Sequence, residues 1–230
     1  MYGKGPQFAV HSVSFVPELS PADSDQIPLP DLDSLVICPW DTSCAWVFAD
    51  LWWEDSPYNI CPRSLLKRVV KETAEQGYSV HAGIEPEFIV MKWEDGQPVK
   101  AIDDDPRSGT GIRPRRQAFG YDVEYSIDSM GFLGEMIDIV EKLGWDMHDV
   151  VCEGAYSQFE LDFHYTDVLQ MADRFVFLRV ILKEIAKRHG MFVTFMPKPT
   201  TGDWRSGAHL NTSMRPINEP DKNLFEGSNG

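Results

Sequence analysis

The chain lacks any CxxC pair, any apolar run of the roughly 18 to 20 residues a membrane span needs, and any excess of basic residues. Cys38, Cys44, Cys61 and Cys152 are therefore expected to be free thiols in a reduced protein. Lys and Arg total 21 against 36 Asp and Glu, a net charge of -15. That balance opposes an extended phosphate-backbone interface and an anionic bilayer surface, so neither nucleic acid nor membrane is expected as a partner. The first residues, MYGKGPQFAVHS, hold no basic region leading into an apolar stretch, and a cytoplasmic location is expected. Neither GxxxxGK[ST] nor GxGxxG occurs, so a nucleotide would be held without either phosphate loop. What the chain does have is 230 residues, 43% of them hydrophobic, with seven Trp and thirteen Phe. That suffices for a substantial core in one large or two small domains.

Residues 15–32 are rich in proline and acid, which suggests an irregular entry segment. Residues 34–40 and 44–53 are β-branched and aromatic around Asp41 and Thr42, the pattern of a hairpin. Pro62 at a first helical turn, followed by Leu65, Leu66, Val69, Val70 and Ala74, predicts a helix up to Gly77. Residues 78–93 read as a strand, 94–120 as a long charged loop, and 127–143 as a helix with the stripe Ile127, Met130, Leu133, Ile137 and Val140. Residues 150–163 read as one further strand, and 167–189 as a helix started by Asp167 and stopped by Gly190. Residues 191–196 read as a strand, and the following PKPTTGDWRSG as a loop. Strands alternating with helices predict a mixed α/β architecture, a sheet with helices packed on one side.

Glu85 and Glu87 lie two apart in the apolar segment GIEPEF, a spacing that sends both carboxylates to one face of a strand. The plain alternative is an exposed polar face. The neighbouring Phe88, Ile89 and Val90 favour partial burial, where like charges need a cation between them. Glu153 and Glu160 are seven apart, which puts them on opposite faces of an unbroken strand unless residues 154–157 supply a bulge. Four carboxylates and a histidine, His209 in RSGAHLNTS, form a donor set suited to two hard divalent cations. Lys198, between the prolines of FMPKP, is either an anion contact or a surface lysine. Cys152 beside Glu153 is expected to be core, with no base adjacent to activate it.

Taken together and in order, GIEPEF, EGAYSQFE, LQMADRFVFLRVILKEIAKRHG, TFMPKP and SGAHLNTS resemble the glutamine synthetase superfamily. The resemblance implies an α+β fold: the end of a small N-terminal β-grasp-like domain over residues 1–60, then an incomplete catalytic domain over 61–230 with an antiparallel sheet and helices packed on it. It implies an ATP-dependent ligase that phosphorylates the γ-carboxylate of glutamate, after which ammonia or an organic amine displaces phosphate. Two Mg²⁺ or Mn²⁺ ions are implied. Glu87, Glu153 and Glu160 would hold the one near glutamate and the amine, and Glu85 and His209 the one on the ATP phosphates. Tyr165, Asn211 and Ser213 fall where family members contact the adenine nucleotide. In place of the family's Asn-Gly-Ser-Gly loop beside the amino acid stand Trp204, Arg205, Ser206 and Gly207, so a pair other than plain glutamate and ammonia is expected, with an organic amine or a modified glutamate as substrate. Family chains are about twice as long and form ring-shaped dodecamers. Their C-terminal half brings the arginines that grip ATP and glutamate, so the isolated 230 residues are expected to be inactive. The alternatives are a catalytically incomplete or non-catalytic relative with a binding or regulatory role and, from the carboxylates alone, a metal-dependent hydrolase.

Overall fold

The computed structural model describes residues 26–102, 120–121, 130–201 and 204–227. Much of the entry segment, most of the expected long loop, and Ile127 of the helical stripe lie outside them. Strands β1 (Ile27–Pro30), β2 (Val36–Ile37), β3 (Ala45–Trp46), β4 (Ala49–Trp53) and β5 (Ser56–Pro57) open the described chain. The expected hairpin is present, with Val36 opposite Trp46 and Ile37 opposite Ala45. Residues 49–53, however, leave it and form the centre of a second antiparallel sheet in the order β1-β4-β5. Residues 27–30, expected to be irregular, are an edge strand, the one place in a sheet where Pro28 and Pro30 cost no internal hydrogen bond. Glu54 and Asp55, both at positive φ, make the two-residue turn into β5.

Helix α1 (Pro62–Glu75) carries Pro62 in its first turn, and Gly77 just beyond it takes φ +88°. Arg63 of α1, 12% exposed, contacts Asp31 at 2.8 Å, Asp50 of β4 at 2.8 Å and Asp173 at 2.9 Å, and Lys67 bonds Asp31 and Asp50 at 2.8 and 2.5 Å. The hydrogen bonds from Lys67 and Arg63 hold the Asp31 carboxyl down at about 2.

Strand β6 (Tyr78–Glu94) is the axis of a seven-stranded antiparallel sheet. It turns through Asp95 and Gly96, both at positive φ, into β7 (Gln97–Lys100). The loop expected from residue 94 therefore begins with a hairpin, and Asp-Gly is the residue pair that such a turn favours. Helix α2 (Met130–Lys142) follows, then β8 (Met147–Cys152) and β9 (Gln158–Phe163). These two are antiparallel neighbours, so the single strand expected over 150–163 is a hairpin with Glu153 to Ser157 in its loop. Strand β10 (Thr166–Asp167) leads into α3 (Val168–Arg188), whose first turn is capped by Asp167 accepting from the Gln170 N–H at 2.9 Å. Strands β11 (Phe192–Thr194) and β12 (Ala208–Pro216) complete the sheet.

The register fixes both edges of β6. Ala82 pairs with Thr166 of β10 and with Thr212 of β12, and Ile89 pairs with Gln158 of β9 and Thr194 of β11. Strands β9 and β10 thus flank one edge and β11 and β12 the other. Ala82, Phe88 and Val90 of β6 and Phe159, Leu161 and Phe163 of β9 join one apolar cluster with Phe132, Met136 and Val140 of α2 and Phe177, Ile181 and Ile185 of α3. Strand alternation leaves the odd positions of β6 and the even positions of β9 on the face away from these helices.

Candidate metal centre and its surroundings

On that face His209 of β12 stands directly opposite Glu85, and Glu160 of β9 directly opposite Glu87. Opposed residues of antiparallel strands share a face, so β6 collects partners from both edges. The His209 Nδ1 lies 3.4 Å from Glu85 Oε2 and 3.9 Å from Glu160 Oε2. One ligand atom from each of Glu85, Glu160 and His209 falls within 4.8 Å of the others. Glu87 is held differently: its Oε2 accepts from the Gln158 side-chain amide at 2.7 Å, and its backbone N–H donates to the Gly207 carbonyl at 3.1 Å.

Glu153 reaches this neighbourhood by chain reversal. Sitting just past β8, it donates its backbone N–H to the Gln158 carbonyl at 2.9 Å, and its Oε2 accepts from the Gly154 N–H at 3.2 Å. The hairpin does what a bulge was expected to do. A further acid, Asp162, sits two residues beyond Glu160 on the same face of β9, its Oδ1 buried without a hydrogen-bond partner. The spacing that marked Glu85 and Glu87 marks Glu160 and Asp162 in QFELDF equally well, and was the signal available for it.

The acids repel one another in partial burial. Desolvation, then the charges of Asp162, Glu153, Glu87 and Glu85, push Glu160 up to about 7. Desolvation leads again for Glu153, followed by Glu87 and Asp162, and for Asp162, followed by Glu85 and Asp149; both carboxyls are raised. All three carboxyls are raised by burial first and by their neighbours' charges second. Oxygen donors with one imidazole, an orphaned carboxylate oxygen and mutual repulsion fit a hard divalent cation.

The expected nucleotide contacts divide. Asn211 donates to Glu85 Oε1 at 2.5 Å and so belongs to the acid cluster. Tyr165 and Ser213 gather instead around His81: Ser213 is its cross-strand partner, and the Tyr165 ring meets it edge-on at 6.0 Å. The Arg215 guanidinium lies over that ring at 5.8 Å and donates from Nε to His81 Nδ1 at 3.2 Å. His81 is on the same face as Glu85, four residues or about 13 Å along β6.

The loop before β12 closes the other side. The Trp204 indole lies against Gly154, where a Cβ would stand 2.9 Å from its ring, yet it remains 66% exposed. The carbonyl of Arg205, whose side chain is exposed, accepts from the Gln158 amide at 2.9 Å. A side chain at Gly207 would displace two side-chain tips: a Cβ there would lie 2.7 Å from Glu87 Oε1 and 3.1 Å from His209 Nε2. Lys198 is exposed, and Cys152 is buried in the core as expected.

The sequence profile of the glutamine synthetase catalytic domain matches residues 59–230. The chain belongs to the glutamine synthetase family. It is 34% identical to a glutamine synthetase of Rhizobium meliloti over 197 residues, 86% of this chain and 43% of that protein. It is 28% identical to a gamma-glutamylanilide synthase of Acinetobacter over 215 residues, 89% of this chain and 42% of that protein. A solved structure described as a GmaS/ADP complex superposes with TM-score 0.81 at 31% identity, covering 92% of this chain and 46% of that one. The chain therefore has the glutamine synthetase catalytic-domain fold, an antiparallel sheet with helices packed on it, and spans less than half the length of these relatives. Members of the glutamine synthetase family are ATP-dependent ligases. Among the described residues, no helix is long and apolar enough to cross a membrane.

Proposed function

We propose that the protein carrying this chain is an ATP-dependent ligase that forms a γ-glutamyl amide from glutamate and an amine by way of γ-glutamyl phosphate. The observation that carries it is the convergence of Glu85, Glu160 and His209 on one face of β6, with Glu87 and Glu153 beside them. In this reaction a γ-carboxylate oxygen bonds to the γ-phosphorus of ATP and ADP leaves; the amine nitrogen then bonds to the acyl carbon, phosphate leaves, and the nitrogen gives up one proton to solvent or to the departing phosphate. Mg²⁺ or Mn²⁺ bound by these side chains supplies the charge neutralisation that phosphoryl transfer to a carboxylate needs. Glu87, Glu153 and Glu160 are assigned to the cation near glutamate and the amine, and Glu85 and His209 to the one on the ATP phosphates. Tyr165 and Ser213, about 13 Å along β6, are assigned to the nucleoside end. Asn211 is assigned to orienting Glu85. The domain limits 1–60 and 61–230, the β-grasp-like nature of the first, a dodecameric ring and a cytoplasmic location belong to the same proposal.

The amine is proposed to be organic. Trp204 laid on Gly154 beside Glu153 offers an aromatic wall, Arg205 an exposed cation, and an Acinetobacter relative is a gamma-glutamylanilide synthase. The test compares kcat/KM for ammonia with that for alkyl, aryl and polyamine co-substrates, in native protein and in the Trp204→Asn, Arg205→Gly double variant. Native protein should favour an organic amine and the double variant should move toward ammonia. Equal preference for ammonia in both would contradict the assignment. A non-catalytic, regulatory relative is the second reading, favoured by the altered loop at residues 204–207; it predicts cation binding without ADP release in the presence of glutamate and amine.

A further inference from the structure

Gln158 is a polar side chain only 1% exposed; it lies inside EGAYSQFE, but no role follows for it from the sequence. Its Oε1 accepts from the Ala155 N–H at 3.1 Å. Its Nε2 donates to Glu87 Oε2 at 2.7 Å and to the Arg205 carbonyl at 2.9 Å, with Ser206 Oγ at 3.4 Å. The chemistry of the partners fixes the amide's orientation: a carboxylate and a carbonyl can only accept, and a backbone N–H can only donate. Flipping the amide would face oxygen to oxygen twice and N–H to N–H once. Both amide hydrogens are committed, so Gln158 has none to spare for a ligand.

What it does have is leverage over Glu87. A glutamate side chain is flexible, and a carboxylate has two equivalent oxygens with which to meet a cation. The Gln158 amide occupies Oε2, while Oε1 lies on the side of the Gly207 α-carbon, where a Cβ would also meet His209. The loop at residues 204–207 is tied to Glu87 twice, once through its backbone N–H to the Gly207 carbonyl and once through Gln158 to the Arg205 carbonyl. We propose that Gln158 is a positioning residue that aims a single oxygen of Glu87 at the cation and locks it to the loop bearing Trp204 and Arg205. The proposal rests on the cation reading given under Proposed function. Its consequence is that the metal side and the amine side of the site move as one unit, because displacing the loop pulls on the amide that holds Glu87. Partners of this kind, which orient a metal-ligating carboxylate without touching the metal, typically govern affinity by 10- to 100-fold.

The competing explanation is a satisfied core amide that only shapes the β8–β9 turn. That turn is also closed by the backbone bond from Glu153 N–H to the Gln158 carbonyl, which substitutions of the Gln158 side chain can retain because residue 158 takes part in that bond only through its backbone carbonyl. A double-mutant cycle separates the two, with Mn²⁺ alone as the probe, its affinity read by electron paramagnetic resonance on native protein, Gln158→Met, Glu87→Ala and the double variant. Gln158→Met should weaken Mn²⁺ binding by about 10- to 100-fold in the native background. In the Glu87→Ala background the same change should have an effect under about threefold, because the group it acts through is gone. Equal weakening in both backgrounds, or none in either, overturns the positioning role. No Mn²⁺ binding by native protein overturns the cation reading itself, and this proposal with it. Should Gln158→Met not fold, Gln158→Asn replaces it: one methylene shorter, it draws the amide back from Glu87, and the same pattern is expected.

Discussion

At Gly207 a single added atom would crowd the tips of two side chains of the site. A Cβ there meets Glu87 Oε1 at 2.7 Å and His209 Nε2 at 3.1 Å, so Gly207→Ala must move a carboxylate whose other oxygen Gln158 already holds. Mn²⁺ affinity should fall by at least about tenfold with little change in melting temperature, since the strain falls on two side chains and not on the core. Unchanged affinity on titration would show that the loop yields. The acids themselves predict a pH signature. Glu160 is raised from 4.5 to about 7, so the folded, cation-free state prefers it protonated. Its contribution therefore favours folding as pH falls through about 7 and is lost as pH rises through it. Mn²⁺ should accordingly raise the melting temperature more at about pH 8 than at about pH 5.5, where protons compete for the same oxygens. Equal stabilisation at both values, followed by circular dichroism, would contradict the charge assignment.

At the scale of elements, the Arg63 cluster ties β4, α1 and α3 together through Asp50 and Asp173, with Asp31 just beyond β1 as a third partner. Removing the guanidinium leaves Asp173 without its pair, and Arg63→Met should cost about 3 kcal/mol in urea unfolding. Lys67→Met should cost only about 1 kcal/mol, because Lys67 is 34% exposed and Arg63 still serves its partners. Asp31, held at about 2, adds acid sensitivity: its contribution is present above 3.8 and lost as pH falls toward 2. Equal losses for the two variants would contradict this hierarchy. The elements also show what a sequence discloses. Strand β6 and helices α1 and α3 were legible because their periodic apolar positions run for many residues and end at glycine or a cap. Strand β12 was not, because HLNTSMR has no buried side to alternate; its pairing with β6 sets its conformation. The β8–β9 reversal was hidden because residues 153–157 contain one glycine and no proline, and the turn is closed by Gln158, Ala155 and Ser157 at positive φ. Glu85 and Glu87 were legible from parity alone. Gln158 was not, because its partners Glu87 and Arg205 lie 71 and 47 residues away in sequence.

Across the whole molecule, the helices and the apolar core take one face of the sheet and the ionisable chemistry takes the other. A net charge of -15 accompanies the acids of that face, where Glu85, Glu87, Glu153, Glu160 and Asp162 gather with His209 as the imidazole ligand candidate. The central claim, that this face is built to bind divalent cations, is tested most directly by anomalous diffraction from crystals grown with Mn²⁺. The result expected is two manganese peaks on this face, one within coordination distance of Glu87, Glu153 and Glu160 and one within that of Glu85 and His209, the first of them lost in Glu160→Ala. Peaks only elsewhere on the acidic surface, or a peak at Glu160 that survives that substitution unchanged, would contradict it.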